Sequence, residues 1–201
     1  ILLIGDATNR VSAAVWNGSS FMSSTTITTT GGLGTSTRAF DAAWESISGN
    51  GLVVYASSTA ASATPFQYKK LASSTLAWDS TGTDFGTVSS TIGSWVELAS
   101  QPVTNRIAAM VQSAAGTAST AQAWPAIWKS DNVSDGWTAG NGDTSLGEIT
   151  RAKLIGVGWE RSTSTSVFVF RNGAGSADAS TRLLWTPSAF GSLGNLATWG
   201  D

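Results

Sequence analysis

Residues 151–172, RAKLIGVGWERSTSTSVFVFRN, decide the fold. An apolar run closing on Trp159-Glu160 gives way to a polar segment, residues 161–166, and then to the β-branched and aromatic run 167–170. Such residues pack well on a pleated surface, and a short polar segment between two runs lets the chain reverse, so the stretch predicts two strands and a hairpin loop. The unit stands again upstream at residues 38–55, RAFDAAWESISGNGLVVY. There Trp44-Glu45 replaces Trp159-Glu160 and Leu52 replaces Val167, eight residues after the Trp in both copies.

Further copies lie along the chain. Trp16, Trp78, Trp128 and Trp185 each close a short apolar run, in VSAAVWNGSSF, STLAWDSTGTDF, AWPAIWKSDNVSDGW and TRLLWTPSAF, at separations of 62, 50 and 57 residues. A strand precedes each of them: ILLIG, GLVVYA, RIAAMVQ and SVFVFRN. Ahead of the last three lies another: AFDAAWE, WVELAS and AKLIGVGWE. The anchors Leu52, Ile107 and Val167 are 55 and 60 residues apart, so two rulers agree on one period. Thr at alternating positions over residues 25–30 reads as a solvated outer strand, and the other Ser/Thr/Gly segments read as loops.

No window of a dozen residues keeps apolar positions at 3.6 spacing without Gly or a β-branched run interrupting it. The expected fold is all-β, a β-propeller-like array of about four antiparallel blades, because radial repetition protects strand edges. A β-sandwich or β-solenoid is the alternative. The units are residues 1–37, 38–90, 91–147 and 148–191 of a single repeat domain, with 192–201 as a closing strand. The first unit is one strand short and the tail, residues 193–199, one long. That imbalance fits a ring closed by the tail, or a strand lent to a neighbouring copy.

Composition narrows the function. The 201 residues carry a net charge of −2 with a pI near 5.0, so no basic field exists to hold a phosphate backbone, and nucleic acid is excluded as a partner. Cys and His are both absent. No disulfide, thiolate nucleophile, Ser-His-Asp triad or His/Cys zinc site can be built. No apolar run reaches the roughly 18 residues needed to span a bilayer as a helix, so membrane insertion is not expected. ILLIG lacks a basic flank, and its abrupt start on a strand suggests a processed or excised chain. Low charge, abundant hydroxyls and the lack of Cys point to an extracellular or cell-surface protein of a prokaryote.

The succession Arg-x-Phe-Asp-x-Ala-Trp-Glu, Ser-Gly-x-Gly-Leu-Val-Val-Tyr and Trp-Asn-Gly-Ser-Ser-Phe resembles Trp-rich blade repeats of secreted bacterial β-propeller proteins. It is broadly similar to lectin propellers of the tachylectin and fucose-lectin kind. The resemblance implies a propeller and, through the lectins, glycan recognition. A sialidase Asp-box, Ser-x-Asp-x-Gly-x-x-Trp, is approached at residues 130–137, SDNVSDGW, but the spacing departs from it.

Carboxylates are the chemistry that remains. Glu45 and Glu160 follow equivalent strand Trp residues, and a carboxylate pair could run glycoside hydrolysis. Repeat equivalence argues instead for two strand caps, each ion-paired with Arg38, Arg151 or Arg161, since catalysis needs two different environments. Residues 131–136, DNVSDG, lack the Ca²⁺-loop pattern and read as a tight turn, as do residues 79–84. The sequons at Asn17 and Asn132 lie on turns. Trp44, Trp78, Trp128, Trp159 and Trp185 are expected in the core. Trp137 and Trp199, flanked by Gly and Asp, are expected at the surface; with Asp135 and Asn141 they are the candidate ligand-binding residues. No catalytic residue, metal or cofactor is expected. The expected function is a non-catalytic structural or adhesive one with self-assembly into an oligomer or fibre. The alternative is a lectin-like propeller binding surface glycans, followed by a glycoside hydrolase.

Overall fold

The computed structural model describes the chain apart from residues 7, 31–36, 59–61, 87–91, 115–120, 131–134, 141–152, 162–163, 172–179, 187, 193 and 196–201. It is an all-β array of four antiparallel sheets. The first holds β1 (Leu2–Gly5), β2 (Val11–Ala14) and β3 (Thr25–Thr28). The second holds β4 (Phe40–Trp44), β5 (Gly51–Ala56) and β6 (Phe66–Ala72), with β7 (Ala77–Trp78) and β8 (Thr83–Asp84) both paired to the far edge of β6. The third runs β9 (Ile92–Ser100), β10 (Ile107–Ala114), β11 (Gln122–Lys129) and β12 (Gly136–Ala139). The fourth runs β13 (Ile155–Trp159), β14 (Ser166–Arg171), β15 (Ser180–Trp185) and β16 (Gly194–Asn195). Each is a meander, as the blade reading required.

The sheets stack face to face in chain order. Val11, Ala13 and Ile27 of the first pack on Val53 and Tyr55 of the second. Leu52, Val54 and Phe66 on the other face of the second meet Val96, Ile107, Ala109 and Trp128 of the third. Ala108, Met110 and Ile127, pointing the opposite way, meet Phe168, Phe170, Leu183 and Trp185 of the fourth. Because side chains alternate between faces, a strand with a sheet on both sides must be apolar at every position. All six residues of β5, GLVVYA, are accordingly buried. Strand β3 shows the contrary case, with Ile27 buried and Thr25 and Thr26 exposed, as expected for a solvated outer strand.

Register corrects two details of the repeat. Trp128 lies opposite Ile107, which lies opposite Ser100; Trp185, Ser166 and Trp159 line up in the same way. The corresponding row in the second sheet is Leu71, Gly51 and Trp44. Trp78 therefore is no counterpart of Trp128: it sits one strand further out, opposite Leu71, where the third sheet has Trp137. The strand that displaces it is β6, whose paired lysines conceal its alternation. Ile107 likewise aligns with Gly51 and Ser166 and not with Leu52 and Val167, and a slip of one residue turns a side chain to the opposite face. Of the expected closing strand, Gly194 and Asn195 pair with Arg182 and Thr181 as the outer strand of the fourth sheet. Residues 196–201 lie outside the described residues.

Candidate functional site

The inner strands β4, β9 and β13 carry charge where they face one another. Arg38 lies 3.7 Å from Asp41 and 4.0 Å from Glu97, and Lys153 donates a hydrogen bond to Glu97. Burial pushes the Asp41 carboxyl above its ordinary value, opposed by the Leu98 amide, which donates to it at 2.9 Å, and by the Arg38 charge. A raised native value means that the folded state holds a proton that the unfolded chain has already lost. Stability therefore falls as pH rises from the ordinary carboxylate value of 3.8 through the raised native value. Asp41→Asn, which keeps an acceptor for Leu98, should flatten that slope in melting curves taken across acidic pH; an unchanged slope would assign it elsewhere.

Among the described residues, which leave out Arg151, Glu45 has no arginine partner. It is buried, one oxygen accepts the indole N–H of Trp128 from the next sheet at 2.7 Å, and the other accepts the Ser48 hydroxyl. With both oxygens committed it fastens the second sheet to the third. Glu160, its repeat counterpart, is exposed, and its amide donates to the Thr165 carbonyl at 2.8 Å. The two are equivalent in sequence and unlike in surroundings. Among the described residues, no group of three His, Cys, Asp or Glu is placed to hold a metal ion.

A cleft of about 180 Å³ opens beside the Glu45–Trp128 contact, between the second and third sheets. Leu52, Leu71 and Trp128 line its depth, and Asn50, Lys70, Asp79 and Asp135 its rim. Lys70 spans the joint: its Nζ donates to Asp135 at 3.0 Å, and its amide donates to Asp79 at 3.0 Å. The hydrogen bond to Asp135 holds the Lys70 ammonium above its ordinary range. The rim thus offers two carboxylate acceptors, an ammonium donor and an amide, above the buried side chains of Leu52, Leu71 and Trp128.

Of the four candidate residues, Asp135 stands on this rim and is exposed. Trp137 is not the surface platform that its Gly and Asp neighbours suggest. It is half-buried, with its ring 4.6 Å from Phe85, 5.4 Å from Trp128 and 5.9 Å from Tyr68. Asn141 and Trp199 lie outside the described residues, as do Asn132 and residues 131–134 of the expected turn. The Asn17 side chain accepts from the amides of Ser19 and Ser20, at 3.0 and 2.9 Å, and so closes the turn at Gly18, whose φ of 104° suits glycine. Sequence reasoning missed Lys70 and Asn50, and weighed Asp79 for calcium alone. The usable signal was FQYKKLA, where Phe66, Tyr68 and Lys70 share one face.

The sequence matches no protein-family profile and no curated protein. Among solved structures the chain is similar to a mutant of the Aleuria aurantia lectin in complex with alpha-methyl-L-fucoside, at 14% identity and a TM-score of 0.48. The likeness covers 96% of this chain and 55% of the lectin, so the chain spans about half the length of that structure.

Proposed function

We propose that the protein is a non-catalytic carbohydrate-binding module acting outside the cell or at its surface, with its site in the cleft between the second and third sheets. The observation that carries this reading is the Lys70–Asp135 pair, held across the joint at the rim of a cleft floored by Leu71 and Trp128. A sugar presents hydroxyls that both donate and accept, together with a C–H face. Carboxylate and ammonium groups make charge-assisted hydrogen bonds to the former, while Leu71 and Trp128, 0% and 1% exposed, shape the cleft from beneath. The commitment of Glu45 to Trp128 and Ser48 supports binding without hydrolysis. A self-assembling role rests on a different surface, treated below.

A glycan array followed by titration of the best monosaccharide tests the site. Asp135→Ala removes an exposed ion pair worth at most about 1 kcal/mol, so it should abolish binding while leaving the melting temperature nearly unchanged. Trp137→Ala should act otherwise, costing about 3–5 kcal/mol of stability by emptying an aromatic cluster. Silence across the array from a folded protein, or full binding by Asp135→Ala, would sink the proposal.

A further inference from the structure

One joint in the stack carries a fastening whose parts recur in order. Gln101 follows β9 as Glu45 follows β4, and Thr104 donates to Gln101 at 2.5 Å as Ser48 donates to Glu45. On the receiving side, Trp128 and Trp185 hold the same place on the third strand of successive sheets, each turned back toward the preceding sheet. Trp16 is their counterpart in the first sheet, as the turn after it shows. Trp16 bridges to Phe21, Asn17 donates to Ser20 and Met22 to Val15. Trp185 bridges to Phe190, Thr186 donates to Ala189 and Gly191 to Leu184.

Trp128 and Trp185 are 1% and 0% exposed, whereas Trp16 is 50% exposed. Its surroundings share the anomaly. Leu2 and Ile4 point the same way as Trp16, opposite to the Leu3, Val11 and Ala13 that pack on the second sheet. With Phe21 and Met22 they make up nearly all the large apolar side chains exposed among the described residues; only Ile47 and Val103 lie elsewhere. At the other end, β14 and β15 turn Phe168, Phe170 and Leu183 toward the third sheet, which leaves Val167, Val169 and Leu184 on the opposite face. Glu160 stands exposed at the end of β13, in the place that Glu45 occupies after β4.

We propose that these two end faces dock on each other between copies of this chain, head to tail. Leu2, Ile4 and Trp16 of one copy seat against Val167, Val169 and Leu184 of the next, and the Trp16 indole N–H donates to Glu160. A second copy is the occupant because both halves of the fastening are present in one chain, at opposite ends of its stack, and the contact continues the joint that already binds second sheet to third. An apolar patch of this kind, rimmed by polar residues, marks an interface. Unlike surfaces meet in such a contact, so it closes into a ring if the rotation permits and otherwise runs on as a filament.

Sedimentation over a wide concentration range tests association. Wild type should gain mass with concentration. Trp16→Ser and Ile4→Ser, both at exposed positions, should weaken association about thirtyfold or more while the dilute protein melts unchanged. Because the chain has no cysteine, polarity can be read with single-thiol variants Trp16→Cys and Glu160→Cys and a short bis-maleimide. Mixed variants should cross-link to each other and hardly to themselves. A monomer at every concentration, association untouched by both serine variants, or cross-links only between like thiols would overturn the proposal. So would a monomer in which Trp16→Ser abolishes sugar binding, since Trp16 would then be a ligand platform.

Discussion

Trp128→Ala is expected to leave the protein unfolded or at the edge of stability at room temperature. Truncating a buried Trp costs about 3–5 kcal/mol through lost transfer energy and the cavity left behind. Here it also strips the Glu45 carboxylate of its indole donor inside a sheet joint, for about 1.5–3 kcal/mol more. Against a typical total of about 5–15 kcal/mol, little remains. Trp128→Phe separates the two effects. It keeps most of the ring volume against Tyr68 and Trp137 and removes the N–H donor, for about 1.5–3 kcal/mol. In a double-mutant cycle Glu45→Gln should recover part of that loss, because a neutral amide tolerates the missing partner better. Additive losses in the cycle would show that Glu45 and Trp128 are not coupled.

The second large effect concerns a position where nothing but hydrogen fits. A Cβ placed on Gly93 would stand 2.7 Å from the Ala56 Cβ and 2.8 Å from the Phe66 Cε1, both closer than real carbon atoms approach. Ala56 and Phe66 are each 1% exposed and wedged in the joint between second and third sheets, so neither can retreat. Gly93→Val should therefore part the sheets at that corner and cost about 1–3 kcal/mol or more, read as a lower urea midpoint. Gly136→Ala is the control, since a Cβ there meets nothing within 4 Å; it should change stability by at most about 0.5 kcal/mol. Equal losses in the two variants would mean that general glycine loss, not the close approach, is being measured.

These contacts show which parts of the structure the sequence could reveal. Strands β5 and β10 were legible because burial on both faces writes an unbroken apolar run, and β14 because its residues 167–170 are all β-branched or aromatic although only Phe168 and Phe170 are buried. The outer Thr strand β3 was legible because one wet face writes an alternation. Strand β6 was not. Lys69 turns its stem into the first joint and carries its ammonium to the Ser80 carbonyl at 3.2 Å, while Lys70 points the other way to Asp135. Two adjacent lysines on opposite faces erase the period that defines a strand. Without β6 the spacing placed Trp78 one strand too far inward. For the candidate site, Asp135 could be picked from its turn-like neighbours. The fate of Trp137 could not, because Tyr68 and Phe85 come from another sheet, some 50 to 70 residues earlier in the chain. Lys70 and Asn50 belong to the cleft only through the stacking of two sheets, a relation with no local trace.

The stacking has a consequence for how the chain comes apart. Among the described residues each core cluster joins neighbouring sheets, so each sheet is held by its own ladder and by one or two adjoining surfaces, and loosening starts at the termini and travels inward. Among the described residues β1 is ladder-bonded on one edge, to β2, and turns Leu2 and Ile4 to water, whereas β10 is ladder-bonded on both edges and buried at every position from Ile107 to Ser113. Amide exchange followed by mass spectrometry should release β1 and β2 first and β10 last, with intermediate protection for β5 and β14. Exchange at one common rate across all four sheets would show instead a single cooperative unit. A graded order would give the protein a native substate in which the N-terminal sheet has peeled away while the cleft formed by Lys70, Asp135 and Trp128 is still assembled.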